Sequence, residues 1–207
     1  MKKFFATHSY NMVRMFLNQF AISIFGFGLA LATMKAGSVG LRNATSVFAI
    51  LFYLFLIYTM TWDLGYKERA AVEAGRKQAK PFTGALIALC ANIHNFVFAI
   101  FITLATMIHI ETIGNVGAVC KTLAMFLEGM YLGVLQIPVA GVALHNYGAV
   151  FFLLPIPTIL TAGIAYVMGL KDMRLTRLSD PLVPESDRDP RAGNKTWNNY
   201  KNGRDKE

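Results

Sequence analysis

The chain has 207 residues, a length suited to one domain, with 55% hydrophobic and only 15% charged residues and a mean hydropathy of +0.43, a balance too apolar for an ordinary soluble fold. Its formal charge of +8 divides into +6 over residues 1–170 and +2 over residues 171–207. Basic residues beside apolar runs follow from the orientation bias of membrane proteins and from anionic headgroups, and no basic groove with interleaved aromatics marks a nucleic-acid partner.

Residues 15–34, 43–62, 82–110 and 129–170 contain no Asp, Glu, Lys or Arg, and runs of about 18 or more such residues read as bilayer spans. The expected fold is all-α: a polytopic helical membrane protein with about five membrane helices, over roughly 15–34, 44–62, 82–108, 113–137 and 148–170. These lie in a membrane domain, residues 1–179, followed by a disordered polar tail, residues 180–207.

In chain order, Lys2, Lys3 and Arg14 precede the first apolar run. Ala30-Leu31-Ala32 imitates a signal-peptidase site, but the length of the run suits a span, so the first helix is read as crossing with its amino terminus inside. Gly26 with Ala30, and Gly28 with Ala32, place small residues four apart, a spacing that lets helices approach closely. Lys35 and Arg42 bracket an outer connection, and Tyr58 and Trp62 close the second run at the predicted interface. Asn43-Ala44-Thr45 matches a glycosylation acceptor by pattern only, since it abuts the span.

The interval Asp63–Pro81 carries five basic residues, Lys67, Arg69, Arg76, Lys77 and Lys80, against Asp63, Glu68 and Glu73. Short loops rich in Lys and Arg stay cytoplasmic. The pairs Arg69/Glu73 and Glu73/Lys77 are spaced i,i+4 and predict a short amphipathic helix, weakened by Gly75. The third apolar run, 82–110, would be about 43 Å long as a helix. A hydrocarbon core is about 30 Å thick, so the run must tilt, kink or emerge. Within it, Asn92 and Asn95 share a face and His94 projects roughly 100° away.

The fourth segment holds Lys121 and Glu128, and a charge at the centre of a span costs roughly 2.5 to 3.5 kcal/mol on the insertion scale. It therefore either crosses with partners for Glu128 or is re-entrant or interfacial. Five crossings would leave the tail outside, whereas Lys171, Arg174 and Arg177 argue for inside. Pro155 and Pro157 should kink the fifth segment.

There is no G-x-S-x-G, HExxH or phosphate-binding loop. Cys90 and Cys120 lack the spacing of a zinc or redox site, and no metal or cofactor is expected. The histidines, His8, His94, His109 and His145, allow a haem or quinone reading, which ranks third. The leading expectation is a transporter or substrate-binding membrane subunit, with a structural or assembly subunit of a membrane complex as the alternative. An intramembrane carboxylate is a functional-site hypothesis by default. Glu128 is thus the candidate site residue, with Asn92, His94 and Asn95 as partners brought level by antiparallel packing. Lys121 shares its face but leans away. Removal from water favours the uncharged carboxyl, which would suit proton-coupled transport. The lipid bilayer is the expected partner, with further membrane subunits or a second copy. The expected location is the plasma membrane, with the amino terminus and the 63–81 loop cytoplasmic.

Overall fold

The computed structural model describes residues 2–78, 80–108 and 111–173. The expectation of a disordered tail over 180–207, the basic residues Arg174 and Arg177, and His109 lie outside the described residues. The described chain is all-α apart from one two-residue hairpin. Three helical stretches, Phe4–Lys35, Val39–Glu73 and Val150–Leu170, are long and apolar enough to cross a membrane, or up to five if each of two bent helix pairs counts as one.

Helix α1 runs Lys2–Lys35 and α2 runs Val39–Glu73. Both extend well beyond the apolar runs, because helical hydrogen bonds are local and continue where hydropathy stops. The turn between them is short. Gly37 takes φ +66°, a conformation that suits glycine after a helix, and the Ser38 hydroxyl accepts from the Leu41 N–H at 3.3 Å to start α2. Residues 63–73 are thus the end of α2 and not a separate amphipathic helix. Gly75 ends it with φ +68°. Its N–H donates to the Val72 carbonyl, and that of Arg76 to the Ala71 carbonyl, which is a Schellman stop.

The long third run breaks at Asn92 into α3, Thr83–Ala91, and α4, Ile93–Met107, bent by 52°. The Asn92 side chain donates to the Ala88 carbonyl at 2.9 Å, and its own backbone N–H reaches the same oxygen at 3.0 Å. A short amide competing for ladder acceptors in this way favours a helix end. Helix α5, Glu111–Leu127, stops at Glu128. The chain then turns by 84° into a 3₁₀ turn, Gly129–Tyr131, and α6, Leu132–Leu135. Strands β1, Pro138–Val139, and β2, Val142–Ala143, form an antiparallel hairpin closed by Ala140 and Gly141. Both closing residues have positive φ, as a two-residue hairpin turn requires. Helices α7, Val150–Leu153, and α8, Ile156–Leu170, are separated at Leu154-Pro155, where a proline lacks the N–H a continuous ladder needs.

Helices α2 and α8 form the most extensive helix pair. Their backbones touch through glycine: a Cβ on Gly65 would overlap the Tyr166 carbonyl oxygen, and one on Gly169 the Trp62 carbonyl oxygen. Gly26 likewise lies against the Met130 backbone, whereas Gly28 has open space beside it, so only the first of the two small-residue pairs is used for packing.

One end of the bundle gathers the start of α1, the end of α2, the start of α3 and the end of α8. There His8 stands 4.0 Å from Glu68, and Lys77 reaches Glu68 at 2.5 Å. The Tyr166 hydroxyl donates to Glu68 at 2.5 Å, and Arg69 bridges Glu73 at 2.6 Å and Asp172 at 3.0 Å. Lys77 takes Glu68 in place of the expected Glu73, because the chain has already left the helix at Gly75.

Polarity is distributed inside out. Leu51 and Ile164 are 61% and 60% exposed, while the buried set includes Gln19, Ser23, Asn92, Asn95, Glu128 and Thr158. An apolar exterior of this extent is what a lipid solvent accepts and water does not.

Candidate functional site

The two helix breaks meet in the interior. Glu128, at the end of α5, is 2% exposed. Its Oε1 accepts from Asn95 Nδ2 at 2.5 Å and from Gln19 Nε2 at 3.0 Å. Asn95 Nδ2 also donates to Asn92 Oδ1 at 3.1 Å. Segments far apart in sequence thus place two amide donors, Gln19 and Asn95, on one carboxyl group, with Asn92 behind Asn95. Among the described residues no Lys, Arg or His lies within salt-bridge distance of Glu128. Its Oε2, together with Gln19 Oε1 and Asn95 Oδ1, is buried with no hydrogen-bond partner among the described residues.

The break that carries Glu128 is supported from α1 and α2. Ser23 Oγ accepts from the Gly129 N–H at 3.0 Å and donates to the Phe126 carbonyl, and Ser46 Oγ donates to the Met130 carbonyl at 2.6 Å. Backbone groups released by a bend in an apolar medium need such partners, and these serines provide them. The phenols of Tyr53 and Tyr131 lie within electrostatic reach of Glu128 and have Thr158 as a polar neighbour. Among the described residues neither phenol oxygen has a partner at hydrogen-bonding geometry.

Of the residues expected at the site, Glu128 and Asn95 bond directly and Asn92 joins through Asn95. His94 does not join them. Its ring stands edge-on to Phe16 with centroids 5.0 Å apart and packs near Phe98, since it projects from a different side of α4, roughly 100° from Asn95. Lys121 is also elsewhere: its Nζ donates to Asn146 Oδ1 at 2.9 Å, tying α5 to the turn at Leu144–Asn146. Of the loop cations, Lys67 pairs with Asp63 at 2.6 Å and Arg69 and Lys77 pair as described, remote from Glu128 at the other end of α2. Lys80 lines a largely apolar groove with Phe4, Phe5, Phe82 and Leu86, a cavity of about 630 Å³.

Gln19, Ser23, Tyr53, Tyr131 and Thr158 were not singled out by the sequence. Gln19 alone had a local signal, as a glutamine inside an apolar run. The hydroxyl residues are ordinary in membrane helices and gain meaning only from their neighbours.

Among the described residues no group of three or more His, Cys, Asp or Glu could hold a metal ion. A carboxyl flanked by amide donors can hold a proton, accept a polar solute or fix two broken helices together. Comparison with protein-family models, with curated proteins and with solved structures gives no match.

Proposed function

We propose that the chain is a multi-pass plasma-membrane transporter or substrate-binding membrane subunit whose polar site is centred on Glu128. The observation that carries this reading is the meeting of two broken helices at a buried, uncompensated carboxyl. Discontinuous membrane helices build solute and coupling-ion sites in this manner, near the bilayer midplane. A carboxyl is costly at that depth, and it persists where it serves a pathway.

The proposed topology has four crossings and one re-entrant segment. α5 descends beside α4, with Gly117 against Ala105, and reaches Glu128. The chain then turns back past Gly26 and Ser46 towards the α1–α2 turn, with Gly133 beside the Arg42 carbonyl. Both ends of the α5–α6 unit therefore lie at the bundle end away from Glu68. The amino terminus, the loop after Glu73 and the end of α8 share the Glu68 end, which the basic residues assign to the cytoplasm. This arrangement removes the parity conflict of five full crossings. A cysteine in place of Arg76 is expected to resist a membrane-impermeant thiol reagent in intact cells, and one in place of Gly141 to react. This applies in a Cys90→Ser/Cys120→Ser background, and reversed labelling would invert the orientation.

The activity is tested by purifying the chain in mild detergent and identifying copurifying small molecules. Those solutes are then offered to vesicles containing the reconstituted protein. Uptake driven by a pH or ion gradient, lost in Glu128→Gln, is the expected result. Gradient-independent vesicles with no bound solute would leave the second reading, a structural or assembly subunit. That reading is favoured by one observation: Gln19, Asn95 and Glu128 are at most 4% exposed, as a structural hydrogen-bond knot would be.

A further inference from the structure

We propose that Glu128, Asn95, Gln19 and Asn92 form a binding site for a hard monovalent metal cation of the sodium class. The inference rests on the transport reading for its purpose, but its chemistry stands on the cluster itself. The site is rich in oxygen. The carboxyl group offers two, and the amides of Gln19, Asn95 and Asn92 offer one each. Carboxylate and carbonyl oxygens suit hard cations, whereas transition metals favour imidazole or thiolate, neither of which is in the cluster.

The present hydrogen bonds describe the same site with amide N–H groups in the cation's place. Two amide nitrogens, from Gln19 and Asn95, converge on Glu128 Oε1, and the oxygens of those same amides are buried with no hydrogen-bond partner among the described residues. The two ends of an amide are nearly equal in shape. A half-turn of each amide therefore exchanges nitrogen for oxygen within the same volume. That turn also releases Asn92 Oδ1 from its donor, Asn95 Nδ2. The carboxylate and amide oxygens then face one another, and their mutual repulsion is what a cation seated between them would relieve.

Charge sets the valence. One carboxylate balances one positive charge, and a divalent ion would leave a net charge in a medium that penalises it; calcium sites gather more oxygen ligands, commonly from several carboxylates. The carbonyl end of α5 adds partial negative charge beside Glu128. The carbonyl end of α3 adds little, because the amino end of α4 begins directly after it.

The test uses the full chain purified in detergent. Its thermal unfolding is followed in sodium, lithium, potassium and choline chlorides at matched ionic strength, together with sodium-23 NMR linewidths of the wild-type protein. Saturable line broadening is expected, with a midpoint rise of roughly 5 °C at saturating Na⁺ over choline. Both effects should disappear in Glu128→Gln, which keeps the side-chain size. Equal midpoints in Na⁺ and choline with no broadening would overturn the proposal, as would a midpoint that follows pH alone, which would make the site a proton site. Failure of the two readings is separable. Sodium binding without uptake in vesicles overturns transport and leaves the ion site, whereas proton-driven uptake without sodium binding does the reverse.

Discussion

Gly169→Ala is expected to destabilise the folded bundle by about 1 to 3 kcal/mol, while Gly28→Ala leaves its stability unchanged or slightly raised. The added atom is the same methyl group in both. At Gly169 it would meet the Trp62 carbonyl oxygen, the Tyr66 nitrogen at 2.9 Å and the Gly65 Cα at 3.1 Å. All of these are backbone, so no side chain can swing aside, and relief requires the axes of α2 and α8 to separate. Separation would loosen the reciprocal contact of Gly65 on Tyr166, and with it the Tyr166 to Glu68 hydrogen bond that closes the Glu68 end. At Gly28 the added atom meets nothing within 4 Å among the described residues, and alanine holds a helix better than glycine. Unfolding of the two purified variants in mixed detergent micelles, followed by circular dichroism, makes the comparison. Equal loss at both positions would mean that α2 and α8 do not cross at these glycines.

The second large effect is expected at Asn95. Among the described residues, Asn95→Leu removes one of two donors to Glu128 Oε1 and the single donor to Asn92 Oδ1. Stranding buried acceptors costs about 1 to 3 kcal/mol. The same substitution in a Glu128→Leu background should cost far less, because a polar pair replaced on both sides by apolar groups can be nearly neutral. The difference is the coupling between the two residues. A value of about 1 kcal/mol or more would exceed the average of roughly 0.6 kcal/mol for hydrogen bonds in membrane proteins. Coupling indistinguishable from zero would mean that the two side chains do not meet. Glu128→Leu alone is informative about role. Stability equal to or above that of the native chain, with loss of gradient-driven uptake, marks a carboxyl kept for function at a cost to the fold. A large loss of stability marks a structural knot.

Much of this protein can be read from its sequence, for a physical reason: the bilayer acts on local composition. Charge-free runs, the basic residues of the 63–81 interval and the prolines at 155 and 157 are local signals, and they foretold apolar helices and a break ahead of α8. The spacing of Asn92 and Asn95 foretold their shared face, and the same spacing separated His94. Gly75 was read only as weakening a helix that includes Glu73 and Lys77, and neither its role as the stop nor the extension of α2 to Glu73 was legible.

What tertiary structure decided is where segments distant in sequence meet. Hydropathy along one segment does not record which neighbour will satisfy a carboxyl, so Gln19, Ser23 and Ser46 acquired their roles only by packing against the break at Glu128. Lys121 could share a helical face with Glu128 and still bond Asn146, because the turn at Leu144–Asn146 folds back beside it. The direction of the fourth segment was equally non-local. Its 84° turn is held by hydroxyls from α1 and α2, and no pattern within residues 113–137 encodes those partners.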